Sequence, residues 1–87
     1  MEVKAGSAVR SIAGRDKGGL FIVLAVDDGY AYLADGDLRK TDSPKKKKLK
    51  HIQASGNVSE FVKNKLENGQ KVTNAELRKA LAEMVLR

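Results

Sequence analysis

The chain divides into two parts that differ in the period of their apolar positions. Up to about residue 54, apolar side chains come in short runs separated by glycine and aspartate clusters, a pattern typical of β-strands joined by tight turns. From Asn57 onward they recur at spacings of three and four residues, which is typical of amphipathic helices. The pattern predicts a mainly β unit over residues 1–54, followed by a helical hairpin over residues 55–87 that packs on it.

Turn residues set the limits of the predicted strands. A first strand around Val9 ends at residues 14–19, where three glycines allow positive φ values, and an apolar strand follows over residues 20–26. An Asp-Asp-Gly sequence at residues 27–29 suits a two-residue hairpin turn, so residues 30–34 form the returning strand. The first half of the chain is therefore expected to begin as a β-meander.

The apolar strand over residues 20–26 carries large side chains on both of its faces. A strand of this kind is stable only when both faces are covered. Two short helices are unstable alone, so they are expected to pack on the strands and to cover the extra apolar face of residues 20–26, and their removal is expected to expose Phe21, Val23 or their neighbours.

Two capping patterns predict where the helices begin. Asn57 is followed three residues later by Glu60, and Thr73 is followed in the same way by Glu76. Gly69 stands where the first helix is expected to end. The apolar faces would consist of Val58, Phe61, Val62 and Leu66 in the first helix, and of Leu77, Ala80, Leu81, Met84 and Val85 in the second.

The positive charge of the chain is confined to one segment. The net charge is +6, from 17 Lys and Arg against 11 Asp and Glu, and residues 39–51 contain seven of these cations but only one acid, Asp42. This segment alone accounts for the whole excess, since the remaining charges balance. Such a cluster is typical of a surface that binds a polyanion, although a solvated charged loop has the same composition.

Other features of the composition narrow the possible functions. The chain has no cysteine, and its longest apolar run is too short to cross a bilayer, so we expect a cytoplasmic protein without a membrane partner. The adjacent acids Asp27 and Asp28 are explained by turn chemistry, and no nucleophile has a base nearby in the sequence. His51 lacks the companions of a metal ligand. We therefore expect neither enzymatic activity nor a cofactor nor a metal site.

One segment resembles a known motif. Residues 9–37, VRSIAGRDKGGLFIVLAVDDGYAYLADGD, resemble the KOW motif, a strand, glycine-turn and strand unit of SH3-like barrels in ribosomal proteins and transcription elongation factors. The order of an Ala-Gly-Arg turn, an apolar strand, an Asp-Gly turn and a basic strand ending in Lys-His-Ile is similar to KOW-type large-subunit ribosomal proteins of archaea and eukaryotes. The resemblance covers about residues 6–53 and implies an SH3-like barrel that binds RNA.

The resemblance also gives the lysine run a place in the fold. It implies that residues 45–49 form the last main strand of the barrel, with Leu49 inward and Lys46, Lys48 and Lys50 outward. Lysines on an exposed strand also discourage aggregation through the sheet edge, which is the alternative explanation. The candidate RNA-binding residues are Arg10, Arg15, Lys17, Arg39, Lys40, Lys45, Lys46, Lys47, Lys48, Lys50 and His51.

The sequence thus indicates an RNA-binding module that contacts structured RNA, with ribosomal RNA and the ribosome as the partners that the resemblance implies. Two alternatives stay open, a protein-interaction module that docks a partner through its helical hairpin and a transcription-associated KOW module. Tyr30 and Tyr32 fall on the same face of their strand, where they could stack unpaired bases or pack at the rim of the core.

Overall fold

Residues 3–85 are described here in a computed structural model, and they form a five-stranded antiparallel sheet with two helices. The elements are β1 (Ser7–Ser11), β2 (Leu20–Asp27), β3 (Tyr30–Ala34), β4 (Lys45–Lys48), β5 (Ile52–Val58), α1 (Glu60–Glu67) and α2 (Asn74–Val85), with a single 3-10 turn at Leu49–His51 between β4 and β5. The strand order is β4-β3-β2-β1-β5, and the sheet is not closed. The predicted mainly β architecture with two C-terminal helices is confirmed at this level.

The β2–β3 hairpin forms as predicted. Asp27 pairs with Tyr30, and the two residues between them, Asp28 and Gly29, have φ values of 48° and 80°. Positive φ at both central positions gives the turn a twist that matches the flanking strands. Local turn chemistry therefore sets the register between β2 and β3.

The strand β5 was not predicted. Residues 45–49 were expected to be the last main strand and Asn57 to cap the first helix, but β5 follows and pairs with β1. Ser59 is the cap of α1, and its Oγ accepts a hydrogen bond of 3.3 Å from the Val62 amide. The predicted boundary between residues 54 and 55 thus falls inside a strand.

An irregularity in the ladder explains why β5 is hidden in the sequence. Ser7 pairs with Val58 and Val9 with Ala54, so the stretch of β5 between these pairs is longer than the stretch of β1. The extra residues include Gly56, which has a φ of 88°. A Ser-Gly-Asn sequence that suits a turn is therefore held within a strand by its long-range partner.

Both faces of the sheet bury apolar side chains, in two separate clusters. The helix-side cluster comprises Ala8, Ile22, Ala34, Val62, Val72, Leu77, Ala80 and Leu81, and the inner cluster comprises Val9, Phe21, Val23, Ala31, Leu33 and Ile52. The strand β2 contributes to both, and its residues Ile22 and Val23 are fully buried on opposite sides. The prediction that both faces of this strand are covered is therefore confirmed.

The helices cover the face of β2 that carries Ile22 and not the face of Phe21 and Val23. They pack against Ile22 and against the partly buried Leu20 and Leu24, whereas Phe21 and Val23 belong to the inner cluster. Side chains from β1, β3 and β5 already enclose that inner face, so the Ile22 face is the one that needs a cover. The periodicity of β2 shows that both faces are buried but not which element buries each.

Capping and one ion pair connect the two helices. Gly69 and Gln70 close α1 with hydrogen bonds to the carbonyls of Leu66 and Lys65, at 3.1 and 2.8 Å. The predicted capping box of α2 is present, since the Thr73 amide donates to Glu76 at 2.9 Å and the Glu76 amide to the Thr73 Oγ1 at 3.1 Å. The Glu76 carboxylate also forms an ion pair with the Lys65 ammonium at 2.9 Å, and this pair connects α2 to α1.

No helix in residues 3–85 has the length and apolar content needed to cross a membrane.

Candidate nucleic-acid interface

The strand β4 lies at an edge of the sheet, and its four lysines divide between the two faces. Lys46 is opposite Tyr32 and Lys48 is opposite Tyr30, whereas Lys45 and Lys47 are opposite Leu33 and Ala31 on the inner side. Lys46 and Lys48 are exposed, Lys45 is half-buried, and Lys47 is buried. Four identical neighbours in sequence therefore occupy different environments, as the two-residue period of a strand requires.

Lys47 was a candidate RNA contact, but its surroundings give it a structural role. Only 8% of the residue is exposed, and its ammonium donates a hydrogen bond of 2.7 Å to the Ala13 carbonyl. A buried ammonium needs such an acceptor because it has lost its contact with water. Lys47 therefore holds the start of the glycine turn against β4 and does not belong to the exposed basic surface.

Two further candidate cations bind the glycine turn itself. Arg10 donates a hydrogen bond of 2.6 Å to the Gly18 carbonyl, and the Arg39 guanidinium pairs with the Asp16 carboxylate at 3.1 Å. Together with Lys47 they fix both ends and the middle of residues 13–18. Arg39 in particular connects the turn to the loop that precedes β4, so part of its charge is balanced within the protein.

An open cleft lies between the glycine turn and β4, and we call it the basic cleft. It has a volume of about 410 Å³ and is lined by Gly14, Arg15, Asp16, Tyr30, Lys45, Lys46, Lys47, Lys48 and His51. The one acidic residue of this lining, Asp16, is the carboxylate that Arg39 engages. The fold thus brings the candidates Arg15, Lys45, Lys46, Lys48 and His51 together around one cleft, with the buried Lys47 at its wall.

The other candidates lie outside this lining. Lys17 is exposed on the glycine turn, and the Lys40 ammonium donates a hydrogen bond of 2.7 Å to the Asp37 carbonyl in the loop before β4. Lys50 is exposed but lies in the 3-10 turn, not on the strand with Lys46 and Lys48 as expected. The Leu49 amide still donates to the Gly29 carbonyl at 3.0 Å, and the chain then leaves the ladder through the 3-10 turn at Leu49–His51 that leads to β5.

The two tyrosines lie beside the exposed lysines. Tyr30 and Tyr32 are half-buried on the outer face of β3, and the Lys46 ammonium lies 4.5 Å from the centroid of the Tyr30 ring. This distance is within the range of a cation–π contact. Cross-strand register explains the contact, which the sequence could not predict without knowing which strand pairs with β3.

Within residues 3–85, His, Asp and Glu side chains form no group of three that could hold a metal ion. His51 is half-buried next to Lys50 and lines the basic cleft. His51 therefore lies beside the lysines of the basic cleft.

No family model matches this sequence, and no curated protein matches it. The similarity to the KOW motif therefore rests on the residues quoted for it above.

Proposed function

We propose that the protein is a KOW-type RNA-binding module that holds structured RNA, such as ribosomal RNA, by its phosphates at the basic cleft. The observation that carries the proposal is the arrangement of Arg15, Lys45, Lys46, Lys48 and His51 around one open cleft. Like charges on neighbouring positions of a strand repel one another. A polyanion that fills the cleft would offset this repulsion and gain counterion release.

The chemistry of these side chains favours phosphates over bases. Lysine presents a compact point charge without the planar fork that reads guanine, and three of the lining cations are lysines with exposed or half-exposed side chains, Lys45, Lys46 and Lys48. Contacts to phosphates position a nucleic acid but carry no sequence information. The proposed binding is therefore weakly selective for sequence.

The inner cluster supports the finer part of the fold proposal, an SH3-like barrel. Four strands, β1, β2, β3 and β5, contribute side chains to this single cluster, and Lys47 of β4 is buried on the same side. A sheet that bends around one interior has this distribution. The proposed barrel would place the basic cleft on its surface, where β4 meets the glycine turn.

A protein-interaction role for the helices is the second candidate, and a separate surface favours it. Phe61 is 56% exposed on α1 and borders a pocket of about 350 Å³ between α1 and α2, lined also by Ser59, Glu76, Lys79, Ala80 and Glu83. Exposed aromatic side chains are common at protein interfaces. This pocket shares no lining residue with the basic cleft, so the two functions can be tested separately.

Binding measured against salt concentration tests the RNA proposal. If about 4 to 6 phosphates are neutralised, the logarithm of the association constant should fall with the logarithm of salt concentration with a slope of roughly −3 to −5. Structured RNA and DNA duplexes of equal length would be compared, so that a preference for DNA supports the transcription-associated alternative. A flat salt response would contradict the phosphate-directed account.

A further inference from the structure

Tyr30, Tyr32, Lys46 and Lys48 form a continuous patch on the outer side of β3 and β4, which we call the tyrosine-lysine face. Tyr30 is directly opposite Lys48 and Tyr32 is directly opposite Lys46. Directly opposed residues on one face of an antiparallel pair are in contact range, and diagonal neighbours are within reach of long side chains. Aromatic rings and ammonium groups therefore alternate across this patch.

Tyr30 is half-buried, and its ring lies on this outer face. Its neighbour along β3, Ala31, is fully buried in the inner cluster, so the ring points away from that interior. The group found over the ring is the ammonium of Lys46, an exposed residue, and it lies 4.5 Å from the ring centroid. A lysine side chain is flexible and can leave the ring for a nearby phosphate.

The same tyrosine also lines the basic cleft, together with Arg15 and the β4 lysines. An RNA strand held in this cleft by its phosphates would therefore pass beside the ring. Paired bases keep their faces stacked within the helix and cannot use such a ring, whereas an unpaired base can.

We infer that the tyrosine-lysine face takes one unpaired base of a bound RNA, stacked on Tyr30, with the flanking phosphates on Lys46 and Lys48. This inference rests on the proposed function and adds the class of RNA, one in which a bulge or loop interrupts a helix. The chain has only two tyrosines, two phenylalanines and no tryptophan, which suits one or two nucleotides and not a long single strand.

The composition supplies a direct probe of this face. Both tyrosines of the chain lie on it, and there is no tryptophan to dominate the emission. Intrinsic tyrosine fluorescence therefore reports on the proposed stacking site. A base that stacks on Tyr30 should quench this emission, whereas phosphate contacts elsewhere in the cleft should not.

The experiment compares an RNA hairpin that carries a single-nucleotide bulge with a fully paired hairpin of the same length. The wild-type protein should bind the bulged RNA about fivefold or more tightly, since base stacking on an aromatic ring has this order of effect. The paired RNA serves as the reference for the light that RNA itself absorbs. After this correction, only the bulged RNA should quench the tyrosine emission. Tyr30→Phe should keep the preference for the bulged RNA, and Tyr30→Leu should bind the two hairpins with equal affinity.

The outcomes separate this inference from the proposed function. Equal affinity for the two hairpins, or a preference that survives Tyr30→Leu, would overturn base stacking while RNA binding stands. Equal weakening toward both RNAs by Tyr30→Leu would also overturn it, since the tyrosine would then support the cleft. The melting temperature of each variant shows whether a change in binding comes from a loss of fold. Failure of the wild-type protein to bind either RNA would refute both proposals.

Discussion

The charged side chains of the helices and those of β4 differ in their surroundings. In the helices, Lys65 pairs with Glu76 at 2.9 Å, and Lys63 lies 3.9 Å from Glu60. In the basic cleft the acidic lining residue, Asp16, is bound to Arg39, while Lys46 and Lys48 lie on one exposed face of a strand. The Lys65–Glu76 pair thus connects α1 to α2, whereas Lys46 and Lys48 stay exposed together on one strand face.

Removal of the helices should produce the largest effect. Truncation after Ser59 keeps β5 intact but deletes Val62, Leu77 and Leu81 of the helix-side cluster. Each large apolar side chain contributes ~1.5 to 3 kcal/mol when buried, so the free energy of unfolding should fall by several kcal/mol. Circular dichroism during thermal unfolding measures this.

A point variant in α2 tests the same packing without shortening the chain. Leu77 is fully buried, and Leu77→Ala should lower the free energy of unfolding by about 2 to 5 kcal/mol while the chain length is kept. A truncated protein as stable as the full chain would show that the helices are a separate arm, and the comparison between the two regions would fail.

Lys47 and Lys46 provide a comparison within the lysine run. Lys47→Met keeps an apolar stem but leaves the Ala13 carbonyl without the ammonium that lies 2.7 Å from it. The free energy of unfolding should fall by about 1.5 to 3 kcal/mol, which is the range for a hydrogen bond to a charged group. Lys46→Met is the matched control, and chemical denaturation should show little change for it. Equal losses in both variants would contradict the division of β4 into two faces.

Neutralising the exposed lysines should act on binding and not on stability. Changing Lys46, Lys48 and Lys50 together to Gln should weaken RNA binding at least ~10-fold, because phosphate partners and their counterion release are lost. The melting temperature should stay the same or rise slightly, since like-charge repulsion is relieved. Filter binding at fixed salt and thermal circular dichroism on one preparation measure the two effects.

A variant with equal charge loss elsewhere serves as the control for that test. Lys4, Lys71 and Lys79 are exposed outside the basic cleft, and changing all three to Gln should leave most of the binding intact. Equal weakening by both triple variants would show that net charge, and not the cleft, attracts the RNA. Unfolding of the β4 variant would instead mean that its lysines hold the fold.

Glu76 should give the smallest effect, and one that depends on pH. The hydrogen bond from the Thr73 amide and the contact with Lys65 lower the pKa of this carboxyl below its ordinary value of 4.5. A group with a lowered pKa in the folded state stabilises the fold above its ordinary pKa and loses that contribution as the pH falls through the lowered value. Glu76→Gln should therefore reduce the melting temperature slightly at pH 7, with a smaller difference at pH 3. A difference that grows toward acid pH would contradict this.

The parts of the fold that local chemistry determines were predictable. The Asp-Gly turn defined the β2–β3 hairpin, and the pairing of Thr73 with Glu76 defined the start of α2. Each of these depends on residues close together in the chain. The strand β5 was missed because it exists through pairing with β1, more than 40 residues away, and its own Ser-Gly-Asn sequence favours a turn.

The sequence predicted the region of the candidate site, but not which of its cations line one cleft. The charge cluster indicated the region, and strand alternation predicted that Lys46 and Lys48 point outward. The buried position of Lys47 follows from the same alternation, yet its acceptor at Ala13 depends on how the glycine turn folds over β4. The contact of Lys46 with Tyr30 likewise depends on the register between β3 and β4.

The three cations that hold the glycine turn would also affect how fast the proposed RNA associates. Arg10, Arg39 and Lys47 anchor the turn through side chains. The Gly18 amide donates to the Ser11 carbonyl of β1 at 2.8 Å, and the Gly19 amide donates to the Asp16 carbonyl within the turn at 2.9 Å. A loop fixed in this way loses little conformational entropy when a ligand arrives. Association should then be a single step limited by electrostatically guided diffusion, and these glycine amides should exchange slowly with solvent even in the free protein.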